Sequence, residues 1–426
     1  MYRRALPPGW RIGSAKRRLV FSFSVKEEVQ MGNNVRVKIA ILLSAMAMMT
    51  FLVPAPVFAG MVQAFPSTDP TMIQMIIGVP SLVSIPLGLV AARLAKRFHK
   101  KYLVIFGTCC YLVGGLTPFF FHPSAEFIVG CSVIIGVGMG IAMTALTALI
   151  GENFEGAARG AMFGLYAAFI SLGGTLAAIL GGVLGCEVWY RAFLAYLILI
   201  PIILCEFAFL PVGRLDQEEE DFAPTSKHLS PSVWLIALTG FVFYVCVNVI
   251  NNNASMLVAE RALGDSNQAS IVTSCYTFAG FLCGFFVGKI VMKVQRKSIA
   301  LGYLLGAVGL IVVYVGGGLV AVCAGTFIAG VGFCLYASTA NFHVTELSTP
   351  STLTFSIAFL SAVINLGQAF SAPIVNALSA PFGTDTSSRF LVTAALCAVM
   401  AVVSFFGLKN AQPATASVNE PAGAAQ

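Results

Sequence analysis

The sequence predicts an all-α integral membrane protein in which twelve transmembrane helices form two six-helix halves. Three observations predict it. Hydrophobic residues make up 58% of the 426 residues and charged residues only 10%, against roughly 25% charged in ordinary soluble domains. Uncharged stretches recur at about the 20 residues that a helix needs to cross a bilayer, and they lack the alternation of barrel strands. A short internal repeat relates the first half of the chain to the second.

The twelve predicted spans are continuous apolar stretches, numbered here in chain order. The uncharged segment 298–342 is too long for one crossing, and Gly316–Gly318 supplies the turn that divides it into spans 9 and 10. The spans are 39–61, 71–92, 102–121, 127–150, 160–185, 192–211, 233–259, 267–288, 298–314, 319–342, 352–377 and 390–408.

Basic residues are distributed unevenly between the two sides of these spans. Of the 25 Lys and Arg residues, 22 fall on one side, including the cluster "RLAKRFHKKYLV" at 93–104, and Arg191, Arg261 and Arg389 fall on the other. Because Lys and Arg near span ends are retained in the cytoplasm, both termini are predicted to be cytoplasmic in a multi-pass protein of the cell membrane. Apolar spans flank the basic cluster on both sides, which excludes a nucleic-acid site there.

The charge and composition pattern also divides the chain into five segments. Met31 offers a second start site, which leaves residues 1–30 as a candidate upstream extension. The predicted segments are a basic cytoplasmic N-terminal segment at 1–36, an N-terminal half at 37–211, a cytoplasmic linker at 212–232, a C-terminal half at 233–409 and a disordered cytoplasmic tail at 410–426.

The sequence contains no residue pattern that is typical of a metal site, a cofactor site or a catalytic site. The eleven cysteines contain no C-x-x-C pair, and the four histidines lie far apart without ligand spacing. No paired carboxylates or His clusters lie within the spans. We therefore expect no metal, no cofactor and no enzymatic activity.

The internal repeat appears at a shift of about 194 residues. "IGVGMG" at 135–140 aligns with "AGVGFC" at 329–334, and "ISLG" at 170–173 aligns with "INLG" at 364–367. Glu152 then falls on Glu346, and Pro54 on Asn248. Each half therefore has a Glu after its fourth span and a helix-weakening residue in its first span.

With these motifs the chain resembles the major facilitator superfamily over residues 36–409. The loop "RLAKRFHKK" keeps much of the family pattern G-x-L-A-D-R-x-G-R-K, although Lys96 replaces its Asp and His99 its second Gly. The loop "GKIVMKVQRK" is the weaker second copy.

Glycines within the spans let neighbouring helices approach closely. The expected helix-packing glycines, with a span 5 series similar to the antiporter motif, are Gly136, Gly138, Gly164, Gly173, Gly181 and Gly182.

The resemblance implies alternating access, in which two halves rock about a central site. It also implies that the basic loops engage acidic groups when the cytoplasmic side is shut. The implied cytoplasmic gate pairs Arg97 and Lys101 with Glu152, and Lys293 and Lys297 with Glu346. The alternative is that these charges only fix the topology.

Candidate substrate ligands are neutral, because Glu206 is the one Asp or Glu residue within a span. Glu206 lies five residues before Pro211, so we expect it to reach the membrane surface and act structurally. The family layout directs polar residues of spans 7, 8 and 11 towards the cavity, although such amides also join helix to helix. The cavity candidates are Asn248, Asn252, Ser255, Tyr276, Asn365 and Gln368.

These features predict a monomeric secondary active transporter for a small neutral or amphiphilic organic molecule. The span 5 glycines favour efflux over uptake, and a coupling proton or ion is left open. Two alternatives remain: a transporter-like membrane sensor that binds its ligand without moving it, and a uniporter or importer of a small metabolite.

Overall fold

The computed structural model describes residues 35–213, 215, 229–287, 290, 297–348, 352–383 and 385–407. Residues 1–34 of the predicted N-terminal segment, most of the linker, Lys293 and the predicted tail lie outside these residues. The described chain is almost entirely helical, and no strand occurs in it.

The helices of the first half follow the six predicted spans. Span 1 consists of an α-helix at 35–47, two 3₁₀ segments, Thr50–Leu52 and Ala55–Val57, and a second α-helix, Phe58–Ala64. Spans 2 to 5 are Pro70–Leu94, Lys100–Phe120, Ala125–Asn153 and Gly156–Leu184. Span 6 joins a 3₁₀ segment, Trp189–Ile198, to an α-helix, Leu199–Phe209.

The helices of the second half repeat this order. Span 7 consists of Pro231–Val247 and Val249–Glu260, and spans 8 to 10 are Ser266–Gly284, Lys297–Val315 and Leu319–Leu347. Span 11 consists of Leu353–Ala369 and Ser371–Ser379, with a bend of 50° between its parts, and span 12 is Thr386–Gly407. In the described chain ten helices are long and apolar enough to cross a membrane, or eleven with the bent pair. Span 8 is long enough to cross a membrane, but it is more polar than the ten helices counted here.

Capping residues fix where several spans begin at their loops. Asp69 accepts a hydrogen bond from the Thr71 backbone N–H at 2.7 Å, and Pro70 occupies the first helical position. Asp265 and Gln268 form a capping box at the start of span 8. These caps satisfy backbone donors that have no partner within the helix.

Glycines aligned by the repeat occupy equivalent close contacts in the two halves. A Cβ at Gly173 would collide with the carbonyl oxygen of Met46 in span 1, and a Cβ at Gly367 would lie 2.6 Å from that of Phe241 in span 7. Spans 5 and 11 therefore approach the first helix of their own half in the same way. This confirms the pseudo-symmetric architecture that the repeat predicts.

The glycines of spans 4 and 10 show the same correspondence. Gly138 lies against the Gly107 carbonyl of span 3, and a Cβ at Gly332 would lie 2.7 Å from the Gly302 carbonyl of span 9. Such backbone contacts leave no room for a larger side chain.

The first helix of each half is interrupted at the aligned position. In span 1 the α-helix gives way to two short 3₁₀ segments on either side of Pro54. In span 7 the helix breaks at Asn248, between Val247 and Val249. Proline lacks the backbone donor, and the Asn side chain competes with helical hydrogen bonds, so both halves contain a weakened helix at this level.

Candidate functional site

The two halves meet at one end of the helix bundle. We call the end that contains Val35 and Glu152 the inner end, since charge predicts it to be cytoplasmic, and the opposite end the outer end. Near the outer end, Ser255 Oγ of span 7 donates to the Pro56 carbonyl of span 1 at 2.7 Å. The Ala59 backbone N–H donates back to Ser255 Oγ at 3.1 Å.

A second contact between the halves is made by three buried or partly buried amides, here called the outer amide cluster: Gln74 of span 2, Asn253 of span 7 and Asn376 of span 11. Gln74 Nε2 donates to Asn253 Oδ1 at 2.9 Å and to the Asn252 carbonyl at 3.2 Å. Asn376 Nδ2 donates to Gln74 Oε1 at 2.8 Å. Arg389 of span 12 donates to Asn253 Oδ1 at 2.6 Å. Gln74 is not among the candidates predicted from the sequence, because its partners lie far away in the chain.

Spans 5 and 8 join the halves closer to the middle of the helix bundle. The hydroxyls of Thr175 and Thr277 lie 2.9 Å apart, and Ser274 Oγ donates to the Thr175 carbonyl at 3.3 Å. Gly182 packs directly on Ser270 of span 8. The hydrogen bonds between the halves thus extend from the outer end to the level of Thr175.

At the inner end the described residues of the two halves make no hydrogen bond to each other. Among the described residues, no atom lies within 4 Å of the Cβ position of Gly151, Gly156, Gly160 or Gly164, on the inner parts of spans 4 and 5. The expected close packing at Gly164 is therefore wrong, whereas Gly136, Gly138, Gly173, Gly181 and Gly182 all make close contacts. The hydrogen bonds that join the halves thus lie at the outer end and extend inwards as far as Thr175.

The three span 7 candidates lie in the closed region and have partners within the protein. Asn248 Nδ2 donates to the Tyr244 carbonyl at 2.9 Å, and Asn252 Nδ2 to Ser371 Oγ at 3.4 Å. Ser255 belongs to the closure itself. In this arrangement they join helix to helix, and their role in the substrate cavity stays a prediction.

The span 11 candidates are placed differently. Asn365 and Gln368 are half-buried, and within the part of the chain that the structure describes neither amide has a hydrogen-bond partner. Gly367 packs on Phe241 of span 7, while Ala369 packs on Gly78 of span 2. The two amides share the helix face between these contacts, which directs them towards the space between the halves.

An aromatic group lies on spans 7, 8 and 10 of the same half. The ring centroids of Tyr244 and Phe333 lie 5.3 Å apart, and those of Tyr276 and Phe333 lie 5.5 Å apart. Tyr276 is buried, whereas Tyr244 and Phe333 are half-buried. We call Tyr244, Tyr276 and Phe333 the aromatic wall. Tyr244 lies one helical turn before Asn248, a spacing that the sequence could have revealed.

At the inner end, Glu152 is paired with a neighbour of the expected partners. Lys100 Nζ lies 2.6 Å from Glu152 Oε1, with the Lys100 side chain 2% exposed. Lys101 Nζ instead donates to the Phe207 carbonyl at 2.7 Å. The predicted pairing of Arg97 and Lys101 with Glu152 concerns a shut inner end, so it stays a prediction.

The corresponding residues of the second half also differ from the expected pairs. Glu346 Oε2 lies 3.2 Å from His343 Nδ1, one turn earlier in span 10. Lys297 Nζ lies 5.6 Å from the ring centroid of Phe405. Lys293 lies outside the described residues, and its pairing with Glu346 stays a prediction.

Glu206 does not reach the membrane surface, so that expectation is wrong. Its side chain is fully buried, and Thr108 Oγ1 of span 3 lies 2.9 Å from Glu206 Oε1. Elsewhere in the described ranges, no group of three or more His, Cys, Asp or Glu side chains could hold a metal ion.

Two similar six-span halves, hydrogen-bonded to each other from the outer end to the level of Thr175, have the architecture of a membrane transporter. The sequence model described as Major Facilitator Superfamily matches residues 39–250 and 236–425. The chain belongs to this superfamily, whose members are transporters and not enzymes.

Two proteins of known activity are similar in sequence. The 3-(3-hydroxy-phenyl)propionate transporter of Escherichia coli (strain K12) is 25% identical over 343 residues, covering 77% of this chain and 82% of the relative. The multidrug efflux pump LfrA of Mycolicibacterium smegmatis is 31% identical over 170 residues, covering 38% of this chain and 33% of the pump.

Solved structures share the fold at low sequence identity. A bacterial homologue of the human lysosomal transporter Spinster, in an inward-facing and unoccupied conformation, has a TM-score of 0.71 at 14% identity and covers 88% of this chain and 97% of its own. The nucleoside transporter NupG has a TM-score of 0.71 at 11% identity, covering 88% and 100%.

Proposed function

We propose that this transporter moves a small neutral or amphiphilic organic molecule with a ring-sized apolar part by alternating access. The observation that carries the proposal is the pair of unpartnered amides, Asn365 and Gln368, in the same half as the aromatic wall. Amides offer donors and acceptors without charge, and aromatic rings offer faces for stacking. A ligand with one ring and one or two polar groups satisfies both.

The distribution of charge supports a substrate without a strong negative charge. The described Lys and Arg residues lie in loops or in the first or last turn of a span, as for Arg389 in span 12. A buried anion needs a paired cation, because an unpaired charge costs several kcal/mol or more to desolvate. Phosphorylated or dianionic molecules are therefore disfavoured.

The relatives support the same class of substrate. The Escherichia coli protein is named for a molecule with one aromatic ring and polar groups at both ends, and the mycobacterial protein is named a multidrug efflux pump. The span 5 glycines and the pump, which is matched over 38% of this chain, favour efflux, whereas the relative matched over 77% of this chain favours uptake. We keep efflux as the proposed direction.

The proposal also gives the contacts between the halves a role. The outer amide cluster and the Ser255–Pro56 bond act as the outer gate, which must separate when the cavity opens outward. Thr175 and Thr277 lie between this gate and the cavity. The basic and acidic residues of the inner end, Glu152 and Glu346 among them, act as the inner gate of the opposite state.

The test is counterflow in proteoliposomes with a matched panel: neutral phenols, aromatic monocarboxylates and dicarboxylates, with and without a pH gradient. We expect ring-bearing neutral or singly charged compounds to exchange. Asn365→Ala with Gln368→Ala should reduce exchange about tenfold, since each lost hydrogen bond is worth roughly 0.5–1.5 kcal/mol.

Asn341→Ala is the matched control, because this exposed amide bonds only to its own helix, at 2.9 Å from the Ala337 carbonyl. It should leave exchange unchanged. Preferential exchange of dicarboxylates, or wild-type exchange by the double variant at matched expression, would contradict the proposed site.

A further inference from the structure

We propose that Glu206 is a proton-binding site of the N-terminal half and that it holds a proton in the arrangement described here. The proposal rests on burial, on the count of hydrogen-bond donors around the carboxyl and on its position beside span 1. It is independent of which substrate occupies the cavity.

The carboxyl group lies in a closed environment. Glu206 is 0% exposed and faces span 3, with Thr108 Oγ1 at 2.9 Å from Oε1. The hydroxyl of Ser44 in span 1 faces the same carboxyl. Among the described residues Oε2 has no hydrogen-bond partner. A carboxylate with one bare oxygen is costly to bury, whereas a carboxylic acid is not.

Counting protons gives the same result. Each hydroxyl has one proton to donate. Ser44 Oγ donates to the Ala40 carbonyl at 2.9 Å, and Thr108 Oγ1 lies 3.1 Å from the Val104 carbonyl. Thr108 Oγ1 therefore has one proton for two acceptors, the Val104 carbonyl and Glu206 Oε1, and it can satisfy at most one oxygen of the carboxyl. An ionised carboxyl would keep a bare oxygen, whereas the neutral acid brings a proton of its own and needs fewer donors.

The surrounding titratable groups do not supply a compensating charge. Cys109 of span 3 and Cys205 of span 6 are the thiols that interact with Glu206. The bases near this end of span 6 are Arg36 of span 1, 6.0 Å from the Phe209 ring centroid, and Lys101 of span 3, bonded to the Phe207 carbonyl. Within the described chain no ion pair joins Glu206 to a base.

The position of the site links the proton to span 1. Tyr111 of span 3 donates to the Met48 carbonyl at 3.0 Å, so span 3 already holds span 1 at one point. Ser44 lies one turn nearer the inner end and bonds to the Ala40 carbonyl of its own helix. When Glu206 loses its proton, the bare carboxylate oxygen attracts the Ser44 hydroxyl away from that carbonyl, which would join span 1 to span 6. A rise in pH at the inner side should therefore shift the protein away from this arrangement.

The experiment is infrared difference spectroscopy of the full-length protein in liposomes across pH 5 to 9, following the C=O stretch of protonated carboxyls. Wild type should show a band that disappears as the pH rises, and Glu206→Gln should lack it. Glu187→Gln is the control, since that exposed carboxylate pairs with Arg191 at 2.5 Å. The control should keep the band.

A second variant covers the case in which Glu206→Gln fails to fold. Thr108→Val removes a hydroxyl that the ionised carboxyl needs, so the band should disappear at a higher pH than in wild type. Ser44→Ala should do the same. A band that persists in Glu206→Gln, or a titration unchanged by both hydroxyl variants, would overturn the assignment.

Discussion

Gln74 of span 2 donates a hydrogen bond to Asn253 of span 7, with 2.9 Å between Nε2 and Oδ1. The two residues belong to different halves, and both are buried, at 0% and 1% exposure. A transporter that opens outward must break this bond and its neighbours. Their strength therefore contributes directly to the balance between the two states.

Gln74→Ala should shift this balance towards the outward-open state. The substitution removes the three hydrogen bonds of Gln74 to Asn252, Asn253 and Asn376, worth about 1.5–4.5 kcal/mol in total, or roughly 10- to 2,000-fold in population. The distance between spin labels on the outer ends of spans 2 and 7 measures it. Gln63→Ala is the control, since Gln63 is exposed at the end of span 1. Equal distance distributions for Gln74→Ala and wild type would contradict the gate.

Glycine-to-alanine substitutions should distinguish the closely packed Gly367 and Gly173 from Gly164, whose Cβ position is open. Gly367→Ala places a Cβ 2.6 Å from the Phe241 carbonyl, and overpacking of this kind costs roughly 1–3 kcal/mol. The melting temperature in detergent should fall, and Gly173→Ala should behave similarly. Gly164→Ala meets open space and should leave the melting temperature unchanged. A loss at Gly164 equal to that at Gly367 would mean that the glycine pattern reflects another constraint.

Lys100→Met should destabilise the protein far more than Arg97→Gln. Lys100 pairs with Glu152 while almost fully buried, and breaking a buried pair by removing one partner costs about 3–5 kcal/mol. Thermal unfolding of the two variants, with Lys100→Met/Glu152→Gln to complete a double-mutant cycle, measures the pair. If Arg97→Gln proves as costly as Lys100→Met, Arg97 holds the inner gate.

Labelling in intact cells tests the predicted orientation. The exposed Cys186 follows span 5 at the outer end, so an impermeant maleimide should label it. In a Cys186→Ser background, a cysteine introduced at Ser226 should react only after permeabilisation, because charge places the linker in the cytoplasm. The opposite pattern would invert the topology.

Asp69 gives the outer end a defined response to acid. Hydrogen bonds from Thr71 lower the pKa of the Asp69 carboxyl below its usual value. A carboxyl with a depressed folded-state pKa stabilises the fold above its unfolded-state pKa, and this is lost as the pH falls through the folded-state value. Asp69→Asn should therefore lower the melting temperature more at neutral pH than at acid pH. The fall in melting temperature between neutral and acid pH should be smaller in the variant than in wild type.

The spans and the repeat could be predicted because they depend on local composition and on spacing. Gly173 and Gly367 align by sequence shift alone, and they make equivalent contacts. The partner of Glu152 could not be predicted in the same way. Lys100 and Lys101 differ by one position, about 100° around a helix, and only the orientation of span 3 decides which of them meets Glu152.

The remaining misses depend on contacts between distant parts of the chain. Gln74 is a single amide in an apolar span, and its significance depends on Asn253 and Asn376 of the other half. Glu206 was expected to reach solvent because it lies near a span end. The neighbouring helices instead cover it, and hydropathy along one helix contains no information about what packs against it.

Two acceptors of the outer gate are main-chain carbonyls, those of Pro56 and Asn252, and each follows a helix interruption. A substitution changes a side chain but does not remove a peptide carbonyl. These two acceptors therefore depend on the path of the backbone and not on the identity of the side chains at Pro56 and Asn252. Substitutions at Pro56 and Asn252 that keep the path of the backbone should therefore retain these two hydrogen bonds, as long as Ser255 and Gln74 remain as donors.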